Sequence, residues 1–184
     1  MPESREPIRL AGHSLEKIAR LAAERSPPPV HSWNPPHCGH SDMRIARDGT
    51  WYHQGSPIRR EAMVRLFSTI LRREPDGSHV LVTPAEKLTI DVELAPFLVT
   101  AMTSEGSGRE REIAFELNSG DALLLGAAHP LRLAGEIPLI AVRDGLEASL
   151  ARPVYYELAE LALEEGGDPP GVWSRGAFFP LQPA

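Results

Sequence analysis

From Leu88 to Glu93 the chain alternates: Leu88, Ile90 and Val92 are apolar, while Thr89, Asp91 and Glu93 are polar. Successive strand residues point to opposite faces, so this pattern predicts a half-buried strand. Elsewhere the apolar period is longer. Leu15, Ile18, Ala19 and Ala22 recur at helical spacing behind Ser14, which can cap the first turn. They predict a helix over about 15–24, ended by Pro27–Pro29. Met63, Leu66, Phe67, Ile70 and Leu71 form an i, i+3, i+4, i+7, i+8 stripe behind Ser56-Pro57, which predicts a helix with Ser56 as cap and Pro57 as its first residue. A third helix is expected from about Pro153 to Glu165. Val80–Val82, Phe97–Thr103, Arg111–Leu117, Leu123–Leu125 and Ile137–Val142 predict strands, and the Pro/His-rich Val30–Ser41 predicts a loop. Strands in series closed by helices make an α+β arrangement.

Residues 47–66 return 96 positions downstream as 143–162, sharing Arg47/Arg143, Asp48/Asp144, Gly49/Gly145, Pro57/Pro153 and Glu61/Glu157. Asp48-Gly49 sits between Arg44–Arg47 and Thr50–His53, a hairpin signal. The echo predicts an internal duplication into two related α/β units, each a small antiparallel sheet with a helix, and a seam between them. The division expected is 1–29 for an N-terminal helix and linker, 30–83 for the first unit and 84–166 for the second. The remainder, 167–184, is a Pro/Gly-rich tail whose Trp173, Phe178 and Phe179 should dock on the body.

Composition narrows the class. A length of 184 residues with 42% hydrophobic and 24% charged positions is ordinary for a globular protein. No run approaches the roughly 18 apolar residues of a membrane span, and Met1–Leu10 lacks the apolar segment of a signal peptide. A lone Cys38 excludes an intramolecular disulfide and fits a reducing cytoplasm. The net charge of −6 argues against a general nucleic-acid binder.

The chain resembles the bacterial proteins called domain of unknown function 1285. The resemblance is carried by Trp33-Asn34-Pro35, Cys38-Gly39, Arg44-Ile45 to Trp51 and Gly55-Ser56-Pro57-Ile58. It continues through Leu81 to Lys87 (with its Thr-Pro-x-Glu-Lys element), Asp91-Val92-Glu93, Ala95-Pro96-Phe97, Gly120-Asp121, His129-Pro130-Leu131 and Val142 to Leu150. His40 stands where an acidic residue is expected. The resemblance spans roughly residues 28–165. It implies a duplicated core, a second domain superficially similar to pleckstrin-homology folds, a nucleotide-like ligand at the domain interface and a link to signalling. No catalytic activity comes with it.

The candidate chemistry follows from side-chain types. Thr83-Pro84-Ala85-Glu86-Lys87 is read as the segment joining the units, where Lys87 would neutralise an anion and Thr83 and Glu86 would orient it. Arg44 is the second charge partner, His129 a further orienting group, and Trp33 and Asn34 loop contacts; Arg47, Arg143 and Arg152 are also well placed for an interfacial anion, and Arg47 and Arg143 equally for supporting their turns. Arg59, Arg60, Arg65, Arg72 and Arg73 are read as a solvated helix face. Cys38 is read as a buried structural thiol by default, since its neighbours His37 and His40 lack the spacing of a zinc site. No nucleophile–base–acid set is recognisable and no cofactor is indicated. The leading expectation is a non-enzymatic protein binding a small anionic, nucleotide-like ligand at the seam. A protein-interaction module is the alternative, and an enzyme using the His/Cys loop the third.

Overall fold

The computed structural model describes residues 5–183. Helix α1 (Leu15–Ala23) begins at Ser14, whose Oγ accepts from the Lys17 amide at 3.3 Å, as its sequence required. After a single 3-10 turn at Val30–Ser32 come β1 (His37–Ile45), β2 (Trp51–His53), β3 (Ser56–Pro57), α2 (Glu61–Thr69), β4 (Leu71–Arg73), β5 (His79–Val82) and β6 (Glu86–Val92). The second half holds β7 (Phe97–Glu105), β8 (Glu112–Leu117), β9 (Ala122–Leu124), β10 (Leu131–Ala134), β11 (Ile137–Arg143), β12 (Leu146–Leu150) and α3 (Arg152–Glu165). A terminal hairpin of β13 (Gly171–Ser174) and β14 (Ala177–Pro180) follows.

Several boundaries differ from the sequence expectation. Pro57 does not open a helix. It pairs with Tyr52 on the edge strand β3, where a missing N–H costs nothing, and α2 starts at Glu61. The inward face of α2 is centred on Val64, Phe67 and the buried Ser68, not on Met63 and Leu66. Leu71 leaves the helix for β4. The last five residues of the expected loop 30–41 are strand, because β1 already pairs with β6 from His37 onward. Cys38 lies exposed on that strand, so it is not a buried structural thiol.

The strands form two six-stranded sheets, ordered β3-β2-β1-β6-β5-β4 and β10-β11-β12-β7-β8-β9. Read from opposite edges the two orders are the same, and every pairing sense agrees. The first and sixth strands of each unit are parallel neighbours, and all other pairs are antiparallel. Two units of matching topology are consistent with duplication, in a register of about 60 residues: first strands start at His37 and Phe97, fourth at Leu71 and Leu131, sixth at Glu86 and Leu146. The 96-residue echo is therefore not the repeat. Asp48-Gly49 joins the first and second strands of its unit, whereas Asp144-Gly145 joins the fifth and sixth. After the second turn one strand, β12, precedes the helix, whereas β2 and β3 both intervene after the first. The boundary at 83/84 is corrected too, since Thr83–Ala85 is the turn of the β5–β6 hairpin and β6 completes the first sheet.

The units share one core. Ile45, Trp51, Leu71 and Ile90 of the first join Phe97, Phe115, Ile140 and Leu146 of the second, with Val154 and Leu158 of α3 and Val172 and Phe179 of the tail. Of the three tail aromatics expected to dock, Phe179 enters this core, while Trp173 and Phe178 are half-buried and pack against each other, ring centroids 5.3 Å apart. A separate cluster packs Ile8, Leu10, Leu15 and Ile18 on Ala114, Ala122 and Leu124, residues that alternate with Ile113, Phe115 and Leu123 of the main core. β8 and β9 are therefore buried on both faces, which explains why their sequences read as apolar runs. Among the described residues no helix is long and apolar enough to cross a membrane.

Candidate functional site

The residues singled out from the sequence separate in space. Thr83 Oγ1 accepts from the Ala85 and Glu86 amides, both at 3.2 Å, and so builds the β5–β6 turn. Lys87 lies 3.5 Å from Glu74 Oε1, which also accepts from Arg72 Nη2 at 2.7 Å. Glu86 is 3.9 Å from His37. Arg44 pairs with Glu93 at 2.5 Å and stacks over Tyr52 at 4.3 Å. Trp33 packs on Val30, Val80 and Val82, and its carbonyl accepts from Arg72 at 2.7 Å, while Asn34 is exposed. All of these belong to the first sheet and its approach. None lines the principal cleft; His129 does.

That cleft, about 890 Å³, opens where the end of α1, the body of α2 and the β8–β9 and β10–β11 region meet. This volume lies within the range of small-molecule sites. Its walls carry five arginines, Arg5, Arg25, Arg65, Arg143 and Arg175, against one carboxylate, Asp121. In a chain of net charge −6 this is a pronounced local reversal. Apolar surface comes from Ala19, Ala22, Leu66, Leu124 and Val142.

Each arginine is held differently. Arg143, at the end of β11, donates from Nη2 to the Ser68 carbonyl of α2 at 2.7 Å and stacks 5.2 Å from the Phe97 ring. Burial pushes its guanidinium below the ordinary arginine value, and Asp121 and Asp144 pull it back. It remains a cation at neutral pH. Arg25 lies 3.5 Å from Asp121 and donates to the Glu6 carbonyl. Among the described residues Arg65, at mid-α2, reaches only the exposed Glu61 at 3.7 Å, and its buried Nε has no partner. Arg175 lies 3.5 Å from Glu112.

His129 Nδ1 lies 3.0 Å from the Ala141 carbonyl, so Nδ1 donates and Nε2 stays available. Ser119 Oγ is held 3.0 Å from Asp121. Among the described residues no hydrogen bond joins His129 to a hydroxyl or thiol, and none of their His, Cys, Asp and Glu side chains form a group of three placed to hold a metal ion. The arrangement can bind and orient an anion. Sequence reasoning included Arg143 and His129 but set Arg65 on a solvated face and gave Arg25 and Arg175 no role. The available signal was the phase of α2: with Val64 inward, Arg65 turns to the seam.

Among curated proteins no match is found. The described fold is similar to a crystal structure of a DUF1285 family protein from Silicibacter pomeroyi DSS-3, 45% identical, covering 94% of this chain and 96% of that one with a TM-score of 0.79. A DUF1285 family protein from Shewanella baltica OS155 shares the fold alone, at 22% identity over 65% of this chain and 91% of that one, with a TM-score of 0.52. The N-terminal domain of the domain of unknown function DUF1285 matches residues 28–95, and its C-terminal domain matches 96–181. The first span contains β1–β6 and the second β7–β14, whereas α1, which walls the cleft, precedes both. With one sheet in each matched domain, the chain belongs to the DUF1285 family.

Proposed function

We propose that this protein is a non-enzymatic receptor for a small anionic, nucleotide-like ligand seated in the cleft between its units. The observation that carries the reading is the set of five arginines against one carboxylate in a cleft of ligand size. Low-dielectric walls lined by one sign of charge focus the field on an entering anion. Arg25, Arg65 and Arg143 hold its phosphates, and the alanine face of α1 with Leu66 and Val142 takes an apolar or aromatic body. His129 Nε2 orients it. Binding without turnover suits a cytoplasmic signalling role, and α3 laid on the second sheet supports a pleckstrin-homology-like reading of that unit.

The test is thermal unfolding with mono-, di- and triphosphate nucleotides and cyclic nucleotides. A ligand at about 100 times its Kd stabilises by about 2.7 kcal/mol, or roughly 5–10 °C at this size. The expected shift is lost in Arg25→Gln and kept in Lys87→Ala. No shift with any compound at millimolar concentration refutes the proposal.

A second reading, a protein partner, is favoured by α3, whose Tyr156 and Leu163 are 58% and 72% exposed. A partner docking there would leave the arginine cleft empty, and Leu163→Glu would abolish its binding.

A further inference from the structure

Beyond the arginine cleft, a smaller one of about 480 Å³ opens on the N-terminal side of α2, between that helix, the Asp48–Trp51 turn and the second sheet. Two buried donors belong to residues on its wall: the Trp51 indole Nε1 and the Arg65 Nε, neither with a partner among the described residues. Trp51 itself is 1% exposed and stacks 6.3 Å from Phe67. A buried unpaired N–H is disfavoured, so two on one wall mark a place where an acceptor oxygen is welcome.

Charge decides which acceptor. Arg59 and Arg65 line this cleft together with Asp48 and Glu61, and the remaining arginine, Arg9, is paired with Glu116 at 2.8 Å. The two lining carboxylates balance Arg59 and Arg65, the latter 3.7 Å from Glu61, and repel a phosphate dianion, whereas a single negative charge is tolerated. Ile58, Val64 and Leu98 supply an apolar side. We propose that the smaller cleft binds an apolar monocarboxylate, its oxygens accepting from Trp51 Nε1 and Arg65 and its chain lying along Ile58, Val64 and Leu98. This site goes beyond the nucleotide reading, and the two clefts share the Arg65 side chain.

The indole N–H resonances of the three tryptophans, assigned from Trp33→Phe and Trp173→Phe, provide the test with the whole protein. Hexanoate should shift the Trp51 signal downfield and saturably; hexanamide and inorganic phosphate should not. Arg59→Gln should weaken the hexanoate response while keeping any nucleotide-induced thermal shift, and Arg25→Gln should do the reverse. An unmoved Trp51 signal, or an equal response to hexanamide, overturns the proposal whether or not nucleotides bind.

Discussion

The side chain of Arg65 passes directly over Gly120: a Cβ built on that glycine would lie 2.7 Å from Arg65 Cδ. Gly120 also has φ +85°, in the left-handed region, and its carbonyl accepts from the Ile8 amide at 2.8 Å. Gly120→Ala should therefore combine backbone strain of about 1–3 kcal/mol with displacement of Arg65. The expected outcome is a Tm lowered by roughly 2–10 °C together with loss of the nucleotide shift. A stable variant with binding intact would remove Arg65 from the site.

Lys87 and Arg72 meet the same Glu74 oxygen, but only Arg72 also donates to the carbonyls of Val30 and Trp33, at 2.8 and 2.7 Å. Lys87→Ala should cost at most about 1 kcal/mol. Arg72→Ala, which strips a charged donor from the Val30 and Trp33 carbonyls and leaves Glu74 with Lys87 alone, should cost about 2–3 kcal/mol. Chemical denaturation of the two variants separates these outcomes.

Acid should destabilise the protein in two steps. Burial pushes His79 below its ordinary 6.5, Arg73 adds to this and Glu147 opposes it. The unfolded chain then takes that proton more readily, so the contribution is complete above about pH 6.5 and is lost as pH falls below it. The Arg72 hydrogen bond holds Glu74 below its ordinary 4.5, against the effect of burial, and the Arg72 and Lys87 charges help. Its stabilisation is present above about pH 4.5 and disappears as pH drops further. In unfolding measured from pH 8 to 3, His79→Gln should flatten the first step and Glu74→Gln the second.

Ser174 is fully buried and ties the terminal hairpin to the second sheet, donating to the Leu125 carbonyl at 2.6 Å and accepting from the Ile113 amide at 3.0 Å. Ser174→Ala leaves both backbone groups unpaired and should destabilise by about 1–3 kcal/mol. Hydrogen exchange should show faster opening of β13 and β14 than of β1.

Local patterns were legible in the sequence where one residue dictates geometry. Ser14 capped α1, Asp48-Gly49 made a hairpin, and the alternation at Leu88–Glu93 became β6. Partnership between distant strands was not. His37–Ser41 reads as loop because its strand character comes from lying beside Glu86–Thr89 and not from its own apolar content. The 96-residue echo matched turn chemistry, which recurs wherever a tight reversal is needed, while the matching topologies align about 60 residues apart with different side chains. The candidate site suffered likewise. The charged residues of Thr83–Lys87 look functional in sequence but serve a turn and an ion pair, whereas Arg25, Arg65 and Arg143 converge only once α1, α2 and β11 are assembled.

The parallel pairing of β1 with β6 and of β7 with β12 bears on how the molecule resists pulling. In each unit the chain enters on one of these strands and leaves on the other, so tension on a unit's ends slides the two strands past each other lengthwise. Their hydrogen bonds must then yield together, where an antiparallel pair pulled from one end would unzip bond by bond. Each unit is thereby a mechanical clamp, and the short link between β6 and β7 joins two such clamps in series.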